Sequence, residues 1–469
     1  MKKFITILAA VFFVFPIFGF QNDFSFLAEK VPGDQELVLY VTANDWGASV
    51  DKIVVNTGKE IDPAYFTAED FRLSDFEVSR EVRTQANHNV RASLSEDELE
   101  PVAAYISDGL GNKTDKKSKF VTLTFSYPVD SKLATPLATS AVLPVHEIYG
   151  YRVENDELDF EVYKLAGLVN SLAARFKISQ LISSEKKMSY AFYKPQKTKD
   201  SKKIPLIIWL HGISEGGENP FLPMLGIKSV TLAGDEIQDY FENGAAVLLP
   251  QCPVAWVLTT DVDENGIRMW EPVDIAGTKN KIVEPFKALA KIFSKDQVEN
   301  SKETEELYKI QAKTSFYTED LMDLIGTFLS QNPDIDRDRI YIGGCSAGGY
   351  MTVNMLIEKP GFFAAAFPTC EIYLDSKITN ADIELLSKVP LWFVQASNDE
   401  TAKAKNCITP TYKRLEAAGA KDLHLTMYDG VFGKDGTEYP GHWSWIYTLN
   451  NEAGDKEQKL FQWLAGQKR

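Results

Sequence analysis

No stretch of lysine and arginine with interleaved aromatics occurs anywhere in the 469 residues, and the formal net charge is −16. Such a field repels a phosphate backbone, so nucleic acid is excluded as a partner. Past the amino-terminus no apolar run is long enough to span a bilayer, which leaves no membrane-spanning segment beyond the first twenty residues or so. Cysteine is limited to Cys252, Cys345, Cys370 and Cys407, none of them in a spacing that resembles a zinc site, so no metal and no cofactor is expected. In an oxidising compartment these thiols would allow up to two disulfides in three full pairings, although Cys345 sits where a small, free, buried residue suffices. Internal repeats and low-complexity segments are absent as well. Histidine is scarce too, with five in the chain: His88, His146, His211, His424 and His442.

What is present fits an exported protein of two domains. The length exceeds one ordinary core, and 44% hydrophobic with 25% charged residues is normal for soluble globular protein. Met1-Lys2-Lys3 followed by the apolar stretch Phe4 to Phe18 has the pattern of a secretory signal over residues 1–20. Cleavage after Gly19 is the best small-residue option, and Pro16 and Phe20 leave an uncleaved membrane tether as the alternative. The expected location is therefore secreted or periplasmic. Short alternating runs follow, Glu36 to Val41, Lys52 to Val55, Phe71 to Val82, Ala103 to Ile106 and Phe120 to Tyr127, separated by turn-rich stretches. That spacing predicts a β-sandwich over 29–160. Tyr163 to Ser171 is expected to bridge to a second domain, 172–469, in which apolar strands alternate with helices: Met188 to Tyr193, Pro205 to Leu210, Ala245 to Leu249, Ile340 to Ile342, Phe363 to Phe367, Pro390 to Val394 and Leu423 to Tyr428. Alternation of this kind predicts a mainly parallel sheet covered on both faces.

Within the second domain, Ser346 lies in Gly344-Cys345-Ser346-Ala347-Gly348, directly after the apolar run Arg339 to Gly343 and before a helical pattern from Gly349. Glycines two residues either side leave room for a sharp turn that lifts a hydroxyl above the end of a sheet, placing the serine for nucleophilic attack. A base is found by elimination. His88 and His146 are far upstream, His211 closes a strand where it shapes a loop, and His424 alternates with Leu423 and Leu425 in a core strand. His442 remains, in the Gly/Pro-bounded loop after the last strand. The acid should come between serine and histidine at the end of a strand; Asp399 follows Val389 to Ala396 and is chosen over Asp429 and Asp435, which sit in a Gly-rich turn. Glu400 is expected to cap a helix from Ala402 to Ala418. An oxyanion hole needs two backbone N–H groups. Ala347 supplies one, and Ile213, after the strand that ends in His211-Gly212, supplies the other.

From about Phe176 onward the chain resembles the α/β-hydrolase branch that contains polyhydroxybutyrate-depolymerase-like and feruloyl-esterase-like enzymes, often labelled predicted peptidases. The resemblance is carried by Trp209 to Gly217, Leu249 to Pro253, Asp338 to Met351 and Gly441 to Trp445. Val41 to Gly47 is similar to the start of the immunoglobulin-like domain that precedes the hydrolase in EstA-like esterases. The resemblance implies an α/β hydrolase preceded by an all-β immunoglobulin-like sandwich, with hydrolysis of carboxylic esters through Ser346, Asp399 and His442. It leans toward short acyl or aromatic esters attached to polysaccharides. Two readings stay open beside it: a serine peptidase of the prolyl-oligopeptidase type, and a non-catalytic carbohydrate- or surface-binding protein. A small-molecule or polysaccharide-linked ester is the expected partner, and the immunoglobulin-like domain is a candidate surface for homo-oligomerisation.

The stretch 257–314 does not fit a minimal hydrolase. Ile282, Phe286, Leu289, Ile292 and Phe293 recur there at helical spacing, which suits either a cap over the site or a surface helix beside the sheet. Trp256, Trp270, Trp443 and Trp445 fall in or near the loops expected around the serine. Trp256, Trp443 and Trp445 are the candidate substrate walls, since aromatic faces suit sugar or phenolic groups, and each can equally be core.

Overall fold

The alternating runs of the amino-terminal third become strands with one face in a common core. In the computed structural model, which describes residues 26–86, 93–129, 131, 134, 145–183, 186–196, 203–217, 219–253, 255–257 and 313–469, these strands form two antiparallel-rich sheets. They are β1 (Glu36–Asn44), β2 (Gly47–Ile61), β3 (Glu77–Ala86), β4 (Ser93–Glu98), β5 (Ala103–Ser107), β6 (Ser118–Thr124), β7 (Val145–Asn155), β8 (Phe160–Val162) and β9 (Lys164–Val169). One sheet has the order β5-β6-β2-β1-β9 and the other β4-β3-β7-β8. Leu37, Leu39, Ile53, Val55, Val121 and Leu123 of the first pack against Val78, Val153, Phe160 and Val162 of the second. This is a β-sandwich.

Two details differ from expectation. The run Phe71 to Val82 is not one strand: a 3-10 turn at Leu73–Asp75 precedes β3. The segment expected to bridge the domains, Tyr163 to Ser171, instead supplies β9, which pairs parallel with β1 at the edge of the first sheet. A pairing between segments this far apart in sequence leaves no mark in either segment's own pattern.

The second domain is built on an eight-stranded sheet of β10 (Lys177–Ser183), β11 (Lys186–Tyr193), β12 (Ile204–Leu210), β13 (Ala246–Gln251), β14 (Ile335–Cys345), β15 (Ala365–Thr369), β16 (Leu391–Ala396) and β17 (Leu423–Tyr428), in the order β10-β11-β13-β12-β14-β15-β16-β17. From β13 to β17 all neighbours are parallel. β12 is buried at every residue because helices cover both faces: Ile207 and Trp209 enter one core, Leu206, Ile208 and Leu210 the other. The helices are α1 (Phe221–Leu225), α2 (Asp235–Gln238), α3 (Thr318–Gln331), α4 (Ala347–Glu358), α5 (Asn380–Leu386), α6 (Ile408–Ala417), α7 (Trp445–Leu449) and α8 (Leu460–Ala465). The helix expected from Ala402 thus begins six residues later. The expected signal segment, His88, Trp270 and residues 258–312 of the expected insertion lie outside the described residues. Among the described residues no helix is long and apolar enough to cross a membrane.

The two domains share apolar and polar contacts. Phe26 meets Phe221 edge to face with centroids 5.0 Å apart. At the β1–β2 turn, Asp45 Oδ1 accepts from Lys228 Nζ at 3.1 Å and from Asn450 Nδ2 at 3.0 Å, while Lys228 also donates to Asn450 Oδ1 at 2.9 Å. All three groups are mostly shielded from water, so removing the carboxylate leaves the lysine charge without its counter-ion and the Asn450 amide N–H without its acceptor. Asp45→Ala should cost about 1–3 kcal/mol, measured as earlier denaturant unfolding. An unchanged midpoint would show that water replaces the carboxylate without loss.

Candidate active site

The candidate site lies where the parallel strands end. β14 runs to Cys345, and the chain turns into α4 through Ser346 at φ 55° and ψ −116°, a backbone conformation that side chains disfavour. The turn is held from outside: Ser346 N–H donates to Thr369 O at the end of β15 (3.1 Å), and Ser346 O accepts from Tyr350 N–H (2.9 Å). It also requires α4 to press against β12. A Cβ on Gly348 would stand 2.0 Å from Leu210 O, so only glycine fits there. Such a local strain is retained only where the surroundings over-determine it.

The segment that follows the last sheet strand brings the other groups over this turn. A two-stranded hairpin, β18 (Val431–Phe432) with β19 (Glu438–Tyr439), is tied down by Tyr447, whose Oη donates to Gly430 O (3.0 Å) and accepts from Phe432 N–H (2.9 Å). His442 follows in a 3-10 turn at Gly441–Trp443. Gly441 lies directly on the backbone after β16, since a Cβ there would be 2.6 Å from Asn398 O. The result is a continuous hydrogen-bonded chain: Ser346 Oγ lies 2.9 Å from His442 Nε2, and His442 Nδ1 lies 2.8 Å from Asp399 Oδ2. The other carboxylate oxygen, Asp399 Oδ1, accepts from the amides of Thr401 (2.8 Å) and Ala402 (2.7 Å). With Nδ1 facing the Asp399 carboxylate, Nδ1 carries the proton and Nε2 accepts from the serine. An imidazole so held can take the serine proton as the oxygen attacks.

Ile213 and Ala347 share one structural property. Each is the first residue of a helical turn, Ile213 of the 3-10 turn Ile213–Glu215 and Ala347 of α4, and the first amides of a helix have no intrahelical acceptor. The loop around Ile213 is fixed by His211. This fully buried imidazole lies 2.6 Å from Gly212 O through Nδ1 and accepts from Cys252 N–H at 2.9 Å through Nε2, so it is the Nδ1–H tautomer. Burial holds its pKa down at about 4, which keeps it neutral.

Other expected residues fall differently. Trp256 is not a pocket wall: it is fully buried, against His211 (5.2 Å between centroids) and Tyr317 (6.4 Å), in the core on one side of the sheet. Trp445 is 8% exposed and stands edge-on to the His442 ring at 5.8 Å, so it backs the imidazole. Trp443 is half-buried, stacked between Tyr439 and Trp445. Glu400 caps no helix; it pairs with Lys403 at 3.0 Å, and Asp399 accepts the turn amides instead. Asp435 accepts from Thr437 N–H in the β18–β19 turn, away from the imidazole. His424 stacks on Trp392 at 4.3 Å between the carboxylates of Asp422 and Asp455. The four cysteines are buried and none is in a disulfide among the described residues. Among the described residues no group of three His, Cys, Asp or Glu side chains could hold a metal ion.

Sequence reading missed two buried acids beside this site. Burial pushes the pKa of Glu215 and of Glu371 up to about 8. Glu215 could have been singled out, since it stands three residues after Gly212 at the position where a side chain reaches back to a turn's first amide. Glu371, whose carboxylate accepts from Tyr373 N–H, carries no such local mark.

The eight-stranded order, the strand–turn–helix at Ser346 and the sandwich ahead of it define an α/β-hydrolase with an amino-terminal immunoglobulin-like domain. Residues 36–164 match the family described as Esterase Ig-like N-terminal domain, and residues 307–374 match the Prolyl oligopeptidase family. The hydrolase half is thus of the serine-hydrolase class to which esterases and prolyl oligopeptidases belong. A thermostable esterase of known structure is similar over 92% of this chain and 100% of its own, with 20% identity and a TM-score of 0.60, which shows a common fold. A Pyrococcus horikoshii acylaminoacyl peptidase (15% identity, 66% of this chain and 45% of its own, TM-score 0.36) and a ferulic acid esterase (14% identity, 62% and 97%, TM-score 0.36) are more distant partial likenesses. No curated protein matches the chain.

The close approach at Gly348 gives a test of the turn. Gly348→Ala should cost at least about 2–3 kcal/mol, because the methyl group can only displace the β12 backbone. Gly326→Ala, on the exposed face of α3 with nothing within 4 Å of the new carbon, should add about 0.5–1 kcal/mol. Denaturant unfolding of both variants reads this, and equal midpoints would contradict the packing described.

Proposed function

We propose that the protein is an exported serine esterase that cleaves carboxylic esters through an acyl-enzyme. The observation that carries this reading is the Asp399–His442–Ser346 chain, with hydrogen-bond distances of 2.8 and 2.9 Å, ending on a serine at the tip of a strained turn. In this mechanism His442 Nε2 takes the proton of Ser346 as Oγ attacks the ester carbonyl. The amides of Ile213 and Ala347 hold the oxygen that becomes negative. Asp399 keeps the imidazole in the required tautomer and stabilises the imidazolium. His442 then returns its proton to the departing alcohol, and water repeats the sequence on the acyl group.

Short acyl or aromatic esters, including those borne by polysaccharides, are the proposed substrates. Support comes from the match of residues 36–164 to a domain family of esterases. Export is proposed from the basic and apolar pattern of the first twenty residues. The second reading is a serine peptidase, which the match of residues 307–374 to the Prolyl oligopeptidase family favours. The two differ in the leaving group: an alkoxide departs with little help, whereas an amide nitrogen must be protonated as the bond breaks.

Ser346→Ala should abolish hydrolysis of a short activated ester with the fold intact, and Asp399→Asn should lower kcat by about 10⁴ through the wrong tautomer. A folded Ser346→Ala protein that keeps most of its rate would remove the serine from the mechanism. Catalytic efficiency on acetyl, butyryl and feruloyl esters should exceed that on aminoacyl-nitroanilides and unblocked peptides. Peptide rates equal to the best ester rates would favour the peptidase instead.

A further inference from the structure

The buried carboxyl of Glu215 takes no part in the proton relay proposed above, yet it closes the loop that carries one of the two oxyanion amides. Glu215 Oε2 accepts from Gly212 N–H at 3.0 Å, and Glu215 N–H points back to Gly212 O at 3.4 Å, so the pair brackets Ile213. The loop is also anchored from β13, where Gln251 Nε2 donates to Glu215 O at 3.0 Å. Glu215 is 4% exposed. Its second oxygen, Oε1, is packed against the backbone after α1: a Cβ on Gly226 would lie 2.7 Å from it. That oxygen is fully buried and has no hydrogen-bond partner among the described residues.

This geometry suits a neutral acid and not a carboxylate. An ionised group would place part of its charge on a fully buried oxygen with no donor among the described residues, at the desolvation cost of a buried charge. A protonated group keeps the Gly212 bond it already accepts and buries one hydroxyl in place of a charge, which costs far less. The titratable groups around it do not offset a charge. From the end of β14 the Cys345 thiol faces it, its pKa pushed well above the usual range by burial, and from the end of β12 His211 is held neutral. Neither α1 nor β13 brings a charged side chain to it through the contacts described, since Gly226 and Gln251 are what meet it there. Burial correspondingly pushes its own pKa up to about 8.

We propose that Glu215 is a positioning residue for the oxyanion loop and that it works in its uncharged form. It holds the Gly212–Ile213 peptide so that the Ile213 amide faces the oxygen that gains charge during attack on the ester. The inference rests on the serine-esterase reading. Its sign with pH follows directly. Below about pH 8 the acid is neutral and the loop amide acts alone on the oxyanion; above it, a carboxylate in a poorly screened interior opposes the same developing charge and slows the reaction.

The test is kcat and KM for a 4-nitrophenyl acetate substrate from roughly pH 6 to pH 10, on the full chain and two variants. Glu215→Ala should lower kcat by about 10- to 100-fold with KM within about threefold, since an oxyanion donor acts on the transition state and not on substrate binding. Glu215→Gln, which keeps the Gly212 bond and cannot ionise, should recover most of that loss. It should also lack the fall in rate that the wild type shows above about pH 8. A Glu215→Ala protein with kcat within about threefold of wild type would overturn the positioning role. Glu215→Gln as slow as the alanine variant, or with the same alkaline fall as the wild type, would overturn the uncharged form; this comparison decides the matter even where the alanine variant does not fold. If the wild type itself hydrolyses no ester, the esterase reading fails and not the loop assignment alone.

Discussion

The contact on which the arrangement depends is the one between the first turn of α4 and the end of β12, where Gly348 lies against the Leu210 carbonyl. It lets the helix start immediately after β14, and that sharp start forces Ser346 to a positive φ. From this constraint follow the height of the serine above the sheet and the lack of an intrahelical acceptor for the Ala347 amide at the helix start. Any side chain at 348 would push α4 away and relax the turn. The energy held in that one residue's backbone is small beside the burial of the sheet on both faces, which is what keeps it in place.

Around the turn, each functional group is delivered by a different element and secured by a partner that does no chemistry. Asp399 follows the end of β16 and is oriented by the Thr401 and Ala402 amides, so only Oδ2 is left for the imidazole. His442 arrives on a loop whose entry hairpin hangs on Tyr447 and whose ring is backed by Trp445. Ile213 sits in a turn closed by His211 on one side and Glu215 on the other. The sandwich contributes none of these groups. Its β1–β2 turn grips Lys228 and Asn450, next to α7 and the His442 segment.

The parts legible in the sequence are those whose cause is local. Glycines flanking Ser346 between an apolar run and a helical run describe a turn by themselves, and a buried parallel strand such as Ile204–Leu210 reads as an unbroken apolar stretch. Scarcity did as much work: with five histidines, elimination leads to His442, which lies 2.9 Å from Ser346. What could not be read depends on tertiary context. Tyr163 to Ser171 looks like a linker because its pairing with β1 is made more than a hundred residues away in the chain. Trp256 looks like a wall, yet composition does not say which way an indole faces, and the fold turns it onto His211. The burial of Glu215 is set by Gly226 and Gln251, neither of which neighbours it in sequence.

If the strained turn and the hydrogen-bonded chain activate Ser346, its hydroxyl should react with an electrophilic phosphorus centre ahead of other serines. The most direct measurement is to treat the folded protein with a fluorophosphonate at neutral pH and map the adduct by peptide mass spectrometry. A single stoichiometric adduct is expected on the peptide containing Ser346, lost when the protein is unfolded first. An adduct on another serine, or none on a folded and soluble protein, would contradict it.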